Sequence, residues 1–557
     1  MRWGVLYILF SSLFFSTNIS AQSVPFSQGK WVKIAVSKQG FYQVTGSQLK
    51  TWGLTVPFAS SQLQLFNLNT ANLVEKVTAN MGFGLNENAI EMQDGGDGQF
   101  DNQDYFLFYS QGNIQWKWNG VQQLFEHSKN AHGDSVYYFI SLGKEGKRIQ
   151  KAKSDKIANA TSDIFDERWV MEKDTLNILN SGQIWWGPAM GLGVGKQAKI
   201  TTPLNMEGLV SQSDLIFKLN YAAASTANAA NFEITLNDQK LRTTVVAPIS
   251  GYIYDDAANL VLDTFRIPLP NNLMNSNLIT ANLSVGYSSA NTNSTGWINY
   301  ITLQAKRKLG FYGGAKSLGF RNTSLVGTGK IIQYQIKDAD ASTKIWEVTQ
   351  PENPVEMSSN FQNGVATFNQ TADSLREFFS VTKLGYETPS LVEVLNIDYP
   401  SLLNTPAADY IIITAANYLK AADSLAKFHA MHHGLATFVT TTGRVFNEFS
   451  GGQPSPIGIR NYVKYIYDKA KKNNTTTPKY LLLLGIGNFD YKKIDIQTQV
   501  PSYESLISNS VLSSYATDDF FAILKEGDDI NAPQGIQSLA LSVGRLPVKN
   551  AVDAEIA

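Results

Sequence analysis

The chain has 557 residues, 43% apolar, 11% aromatic and 17% charged, with no cysteine among them. It is too long for one small domain and too apolar for disorder, and within these residues it offers no disulfide framework, thiolate metal site or thiol nucleophile. Its 46 basic and 47 acidic residues leave a net charge of −1, which provides no field for gathering nucleic acid or anionic lipid, so no nucleic-acid partner is expected.

Residues 1–21 read as a secretory signal: Arg2, an apolar run over 3–15, then small residues up to Ala21. About 13 apolar residues are too few to span a bilayer, and no later run approaches the roughly 18 a membrane helix needs. Export is expected, with no transmembrane helix. Residues 22–155 are short, aromatic-rich and turn-broken, as in "KWVKIAVSKQGFYQV" and "DYFLFYSQGNIQWKW", the pattern of a β-rich domain. Within that region "DGGDGQFDNQDYFLFY" puts Asp97, Asp101 and Asp104 at the fifth, ninth and twelfth places of a calcium loop. Gln93 and Gly95 stand where the first and third ligands belong, so only an irregular Ca2+ site fits, with Asp94 as a displaced carboxylate. The competing reading is an acidic turn before a strand.

From 156 to 400 alternation dominates. Phe232, Ile234 and Leu236 share a face before an Asn237-Asp238 turn, and Ala281, Leu283, Val285 and Tyr287 repeat the pattern. This predicts a β-sandwich followed by a second small β unit around 325–385. The register changes after Pro406. "DYIIIT", "LATFVTT", "YLLLLG" and "LALSVGRLP" read as buried strands, and between them run helical stripes such as Tyr418, Ala422, Leu425 and His429. Thr414 and Ser455-Pro456 are the expected helix starts and Gly434 a stop. Strands alternating with helices predict a mostly parallel sheet over 401–557. The closing "VKNAVDAEIA" reads as the start of another helix, so a fragment is expected.

His429, His432 and His433 in "FHAMHHG" lack the glutamate of a zinc-protease helix and sit where imidazoles suit a helix carboxyl end. No GxSxG occurs, and neither "GIGNFD" nor "SLVGTGKI" completes a nucleotide fingerprint. The live candidate is the long loop "VPSYESLISNSVLSSYATDDFFAILKEGDD", which follows the third strand and so borders the cleft of an open α/β sheet. Asp518 and Asp519 would lie in or near that cleft, where a carboxylate can hold a Lys or Arg side chain; simple turn capping is the alternative.

The set "YLLLLGIGNFDY", "VPSYES", "YATDDFFAIL" and "LALSVGRLPV", with "TLNILNSGQIWWG" and "GWINYITLQAKRKL" upstream, resembles the gingipain-type cysteine peptidases, and among them the sortases of the Bacteroidetes type IX secretion system. The resemblance implies a multidomain fold: a β-rich N-terminal region with a β-sandwich, then an incomplete caspase-like α/β domain. It implies a surface endopeptidase that removes carboxyl-terminal sorting domains from secreted cargo and can pass the new terminus to lipopolysaccharide. Its partners would be that cargo and an outer-membrane barrel protein such as PorV. No cofactor is required by the resemblance; Ca2+ enters only as the candidate structural ion of the acidic turn. The catalytic His and Cys are expected beyond Ala557, which leaves no catalytic residue in the chain. Asp518 looks like the acidic residue that holds a basic side chain beside the scissile bond. Gly485-Ile486 replaces a Gly-Asp found in relatives, leaving Asp490 as the nearby carboxylate. The rival readings are a non-catalytic surface adhesin or scaffold, and a broad secreted protease.

Overall fold

A computed structural model describes residues 26, 28–68, 70, 72–79, 83–153, 155–211, 213–270, 280–532 and 537–557. The signal segment 1–21 lies outside them. The first unit is a five-stranded sheet ordered Ser390–Ile397, Gly29–Val36, Val136–Leu142, Leu63–Asn67 and Asn86–Asn88, packed against the three strands Gly40–Thr45, Tyr105–Ser110 and Glu91–Gln93. Alternation drives it: Val32, Ile34, Leu63, Leu65, Phe106, Phe108, Tyr138 and Ile140 turn into one core. A boundary at 155/156 therefore does not separate the sheets, because Ser390–Ile397 returns to pair antiparallel with the first strand. A strand's own periodicity shows its faces and not its partner.

The sandwich is present. One sheet runs Ile164–Glu172, Thr295–Lys308, Asp214–Ala224, Asn259–Pro268, and the other Lys199–Asn205, Thr280–Ser289, Ala230–Leu236, Gln239–Val246. Phe232, Ile234, Leu236, Ala281, Leu283, Val285 and Tyr287 all face its core. Asn237 and Asp238 hold φ of 47° and 62°, the doubly positive pair that a two-residue hairpin needs to match strand twist. A smaller pair of sheets follows, with strands including Ile331–Lys337, Val365–Thr371 and Phe378–Val381 around Phe320, Tyr334 and Phe368.

The α/β unit is a four-stranded, wholly parallel sheet ordered Thr437–Thr441, Tyr410–Thr414, Tyr480–Leu484, Ser542–Leu546. Ile411, Ile412, Ile413, Leu481, Leu483 and Leu484 are buried, as continuous apolar runs in a parallel sheet must be. Helix Leu419–His433 packs beside Ala551–Ile556, and Thr442–Phe449 beside Pro456–Lys472. Ser455 caps Pro456–Lys472 by accepting from the Ile457 amide, and Gly434 ends Leu419–His433 at φ 64°. Thr414 is no cap: it is buried and its hydroxyl donates to the Ala415 and Leu484 carbonyls, while Leu419–His433 starts at Tyr418 without a side-chain cap.

Candidate cleft at the carboxyl ends of the parallel strands

The strand order reverses between Tyr410–Thr414 and Tyr480–Leu484, because Thr437–Thr441 is added on one side of the first and Tyr480–Leu484 on the other, and the crevice beyond their carboxyl ends is where doubly wound sheets take ligands. Here the chain fills it. Loop 495–499 lies across it, the Ala416 and Asn417 amides donating to the Ile496 and Gln497 carbonyls at 3.2 and 3.0 Å, and the Thr442 hydroxyl to Ile496 as well. Gly485 lets the leucine strand turn there: its φ is 140°, and a Cβ would sit 3.1 Å from the Val500 side chain. Toward the strand Ser542–Leu546 the surface stays open, with a cavity of about 260 Å3 lined by Leu484, Leu546, Ser424, Leu425, Ala554 and Glu555.

The three cleft carboxylates stand apart. Asp518 is clasped by Arg545, whose Nε and Nη2 each donate to it at 2.7 Å, with side-chain exposures of 24% and 12%. Through Nη1 the same guanidinium donates to the Gly485 and Val500 carbonyls at 2.8 and 2.7 Å. Asp518 thus meets the chain's own cation, and the pair ties the long loop to the ends of two strands. Asp519 is exposed at the start of the turn Asp519–Ala522. Asp490 is buried, accepts from the Lys492 amide at 3.1 Å and pairs with Lys493 at 3.0 Å, the work of a turn cap. Arg545 escaped the sequence reading; its signal is the lone charge in the strand Ser542–Leu546.

The β units form a wall against the cleft loops. Trp185 stacks on Phe489 at 5.9 Å and 8°, and His132 on Tyr491 at 4.8 Å and 24°. Lys492 bridges Asp134 and Asp174 at 2.7 and 2.9 Å. Burial of His132, whose Nε2 has no partner among the described residues, pushes its pKa down to about 4. Buried Glu504 accepts from the Gly182 amide and Ser181 hydroxyl, and burial pushes its carboxyl up. Asn509 exchanges bonds with Ala257 and Ala258 of the sandwich. The long loop is therefore docked along its length.

The acidic turn is not drawn together. Asp94, Asp97 and Asp101 each accept from the amide two residues on, and Asp104 accepts from the Asp101 amide. Among the described residues no group of three or more His, Cys, Asp or Glu side chains is gathered as a metal site would require. His429 and His433 lie Nδ1 to Nδ1 at 3.0 Å on an exposed helix end. Trp116 and Trp118 are half-buried, with the Arg168 guanidinium 5.2 Å from the Trp116 ring and Phe125 against Trp118. Among the described residues no helix is long and apolar enough to cross a membrane.

Residues 404–557 match the family model described as peptidase family C25. The crystal structure of dimeric latent PorU from Porphyromonas gingivalis is similar in fold, with a TM-score of 0.77 and 21% identity over 95% of this chain. The match covers 49% of that structure, so the chain spans about half its length. A CBM36 carbohydrate-binding module with calcium and xylotriose, and the CBM36-1 domain of a xylanase from the hindgut metagenome of Trinervitermes trinervoides, each match 25% of the chain. These cover 98% and 96% of the modules at 8% and 9% identity, and TM-scores of 0.16 and 0.15 support nothing further. No curated protein matches the chain in sequence.

Proposed function

We propose that this chain, with a peptidase family C25 domain at 404–557 on a PorU-like fold, belongs to an exported cysteine endopeptidase of the sortase type. Its substrates would be secreted proteins with carboxyl-terminal sorting domains, and its station the cell surface beside an outer-membrane barrel protein such as PorV. One observation carries the reading: the C25 match falls on the parallel sheet, at whose carboxyl ends Leu484 and Leu546 line an open cavity. The chain holds no cysteine, and the proposal puts the nucleophile and its histidine beyond Ala557. There a thiolate, favoured by the imidazole, would attack the scissile carbonyl, form a thioester and release the sorting domain's amine. Water resolves that thioester to a free carboxylate, whereas an amine on lipopolysaccharide resolves it to an amide. Within these residues, loop 501–531 would form one wall of the substrate cleft, held by the Asp518–Arg545 pair.

An adhesin would need exposed aromatics such as those of "QWKWNG", and both of its tryptophans are packed against neighbouring side chains. The test is labelling of the native full-length protein with a thiol-reactive peptidyl probe, followed by peptide mapping. One labelled cysteine, with cleavage of a cargo peptide ahead of its sorting domain, is the expected result. Absence of labelling and cleavage would overturn the proposal.

A further inference from the structure

Strands Leu63–Asn67 and Asn86–Asn88 form a hairpin of the first sheet, but the connection between them, residues 68–85, is 18 residues long. Connections of that length without helix or strand are usually put to use. This one leaves its own sheet and enters the α/β unit. Val77 pairs with the end of the cleft loop, its amide donating to Asp528 at 2.8 Å and its carbonyl accepting from Gly527 at 2.9 Å, while its side chain packs on Ile523. Phe83 lies against Phe449 and Tyr465.

Glu75 stands at the centre of the arm. One carboxylate oxygen accepts from the Tyr503 hydroxyl at 2.8 Å and the Asn531 amide at 2.7 Å; the other accepts from Gln183 at 2.7 Å. Tyr503 and Asn531 are the two ends of the cleft loop, and Gln183 belongs to the sandwich segment on which that loop is docked. Glu75 thus closes the loop at its base, beside a direct approach of the Tyr503 hydroxyl to the Asn531 side-chain oxygen at 3.2 Å. Behind it, the Val74 and Glu75 carbonyls accept from Arg460, a fully buried guanidinium that also lies 4.7 Å from the Phe520 ring, on which Tyr503 stacks at 4.3 Å. A buried guanidinium facing two carbonyls strongly favours that backbone path, since displacing the arm would leave its donors unsatisfied.

We infer that Glu75 is a positioning residue for the cleft: an N-terminal β domain supplies the carboxylate that fixes loop 501–531 of the α/β domain. The word cleft rests on the proposed function; the positioning itself does not. The test compares amide hydrogen exchange across the full chain in the native protein and in Glu75→Ala, Glu75→Gln and Tyr503→Phe. Glu75→Ala is expected to raise exchange within 501–531 by about tenfold or more, as local opening becomes easier, while strands 410–414 and 480–484 keep their protection. Glu75→Gln keeps an acceptor oxygen and should restore part of the protection. Unchanged exchange in 501–531 would overturn the inference, and so would a rise shared equally by the sheet strands. Should Glu75→Ala fail to fold, Glu75→Gln decides, since Tyr503→Phe also removes the Tyr503–Asn531 contact: faster exchange at both ends of the loop in Glu75→Gln supports positioning, and no change refutes it. Exchange is read without catalysis, so a failure of the peptidase proposal would leave this result standing.

Discussion

The Asp518–Arg545 clasp can be measured with probes the sequence already contains. All ten tryptophans lie at or before Trp346, and among the described residues every α-helix except the six-residue Gly46–Thr51 lies in 401–557. Helical circular dichroism therefore follows the α/β unit, and tryptophan fluorescence the β units. Asp518→Ala leaves the guanidinium bonded to Gly485 and Val500 but without its counter-charge, at 12% exposure. Exposed pairs contribute roughly 0–1 kcal/mol, and breaking a buried one costs about 3–5 kcal/mol. At the intermediate exposure here, and with both oxygens engaged, a loss of about 2–3 kcal/mol is expected. For a unit of this size that lowers the helical Tm by about 5–10 °C. The tryptophan transition should move much less, because the clasp lies within the α/β unit. The double variant with Arg545→Ala should cost less than the sum of the single changes by about 1–2 kcal/mol. A change under about 0.5 kcal/mol in the helical transition, or strict additivity, would refute the clasp as described.

Other outcomes follow from the same geometry. Burial holds the folded pKa of His132 near 4, below its unfolded value of about 6.5, so its contribution is complete above about pH 6.5 and is lost as pH falls towards 4. The loss reaches up to about 3 kcal/mol at the interface with Tyr491, among neighbouring Asp134, Lys492 and Glu504. His132→Phe should keep the ring contact and flatten the acid slope in urea melts between pH 6.5 and 4.5; an unaltered slope would assign it to those other groups. A Cβ at Gly46 would lie 1.7 Å from the Asp101 carbonyl, so Gly46→Ala should cost about 2 kcal/mol or more in the tryptophan transition; a neutral result would contradict the close approach of the two segments. Excess chelator should leave Tm unchanged, because each aspartate of the 94–104 turn already serves a local amide. A clear fall would bring Ca2+ back to that turn.

Features that depend on a few adjacent residues were legible in the chain. The Asn237-Asp238 turn, the Ser455-Pro456 start and the Gly434 stop need only local backbone preferences, and all three stand. Thr414 misled because its neighbourhood is a strand end across which Leu484 supplies an acceptor. The site was less legible for the same reason. Asp518 advertises a free carboxylate until Arg545, 27 residues later, is folded against it. No pattern around Glu75 points to donors 428 and 456 residues away. Docking of the long loop on the sandwich likewise joins Glu504 to Gly182 across 322 positions.

The arm also sets an order of events during synthesis. Glu75 leaves the ribosome 385 residues ahead of Arg460, and at about 5–20 residues per second that is an interval of roughly 20–80 s. Until then the arm's carbonyls have only water, and of the partners of its carboxylate only Gln183 has been made. The sheet from which it projects waits too, for its edge strand Ser390–Ile397. The α/β unit thus matures against a template made before it, and a separately produced 401–557 segment would have to organise its longest loop without that template.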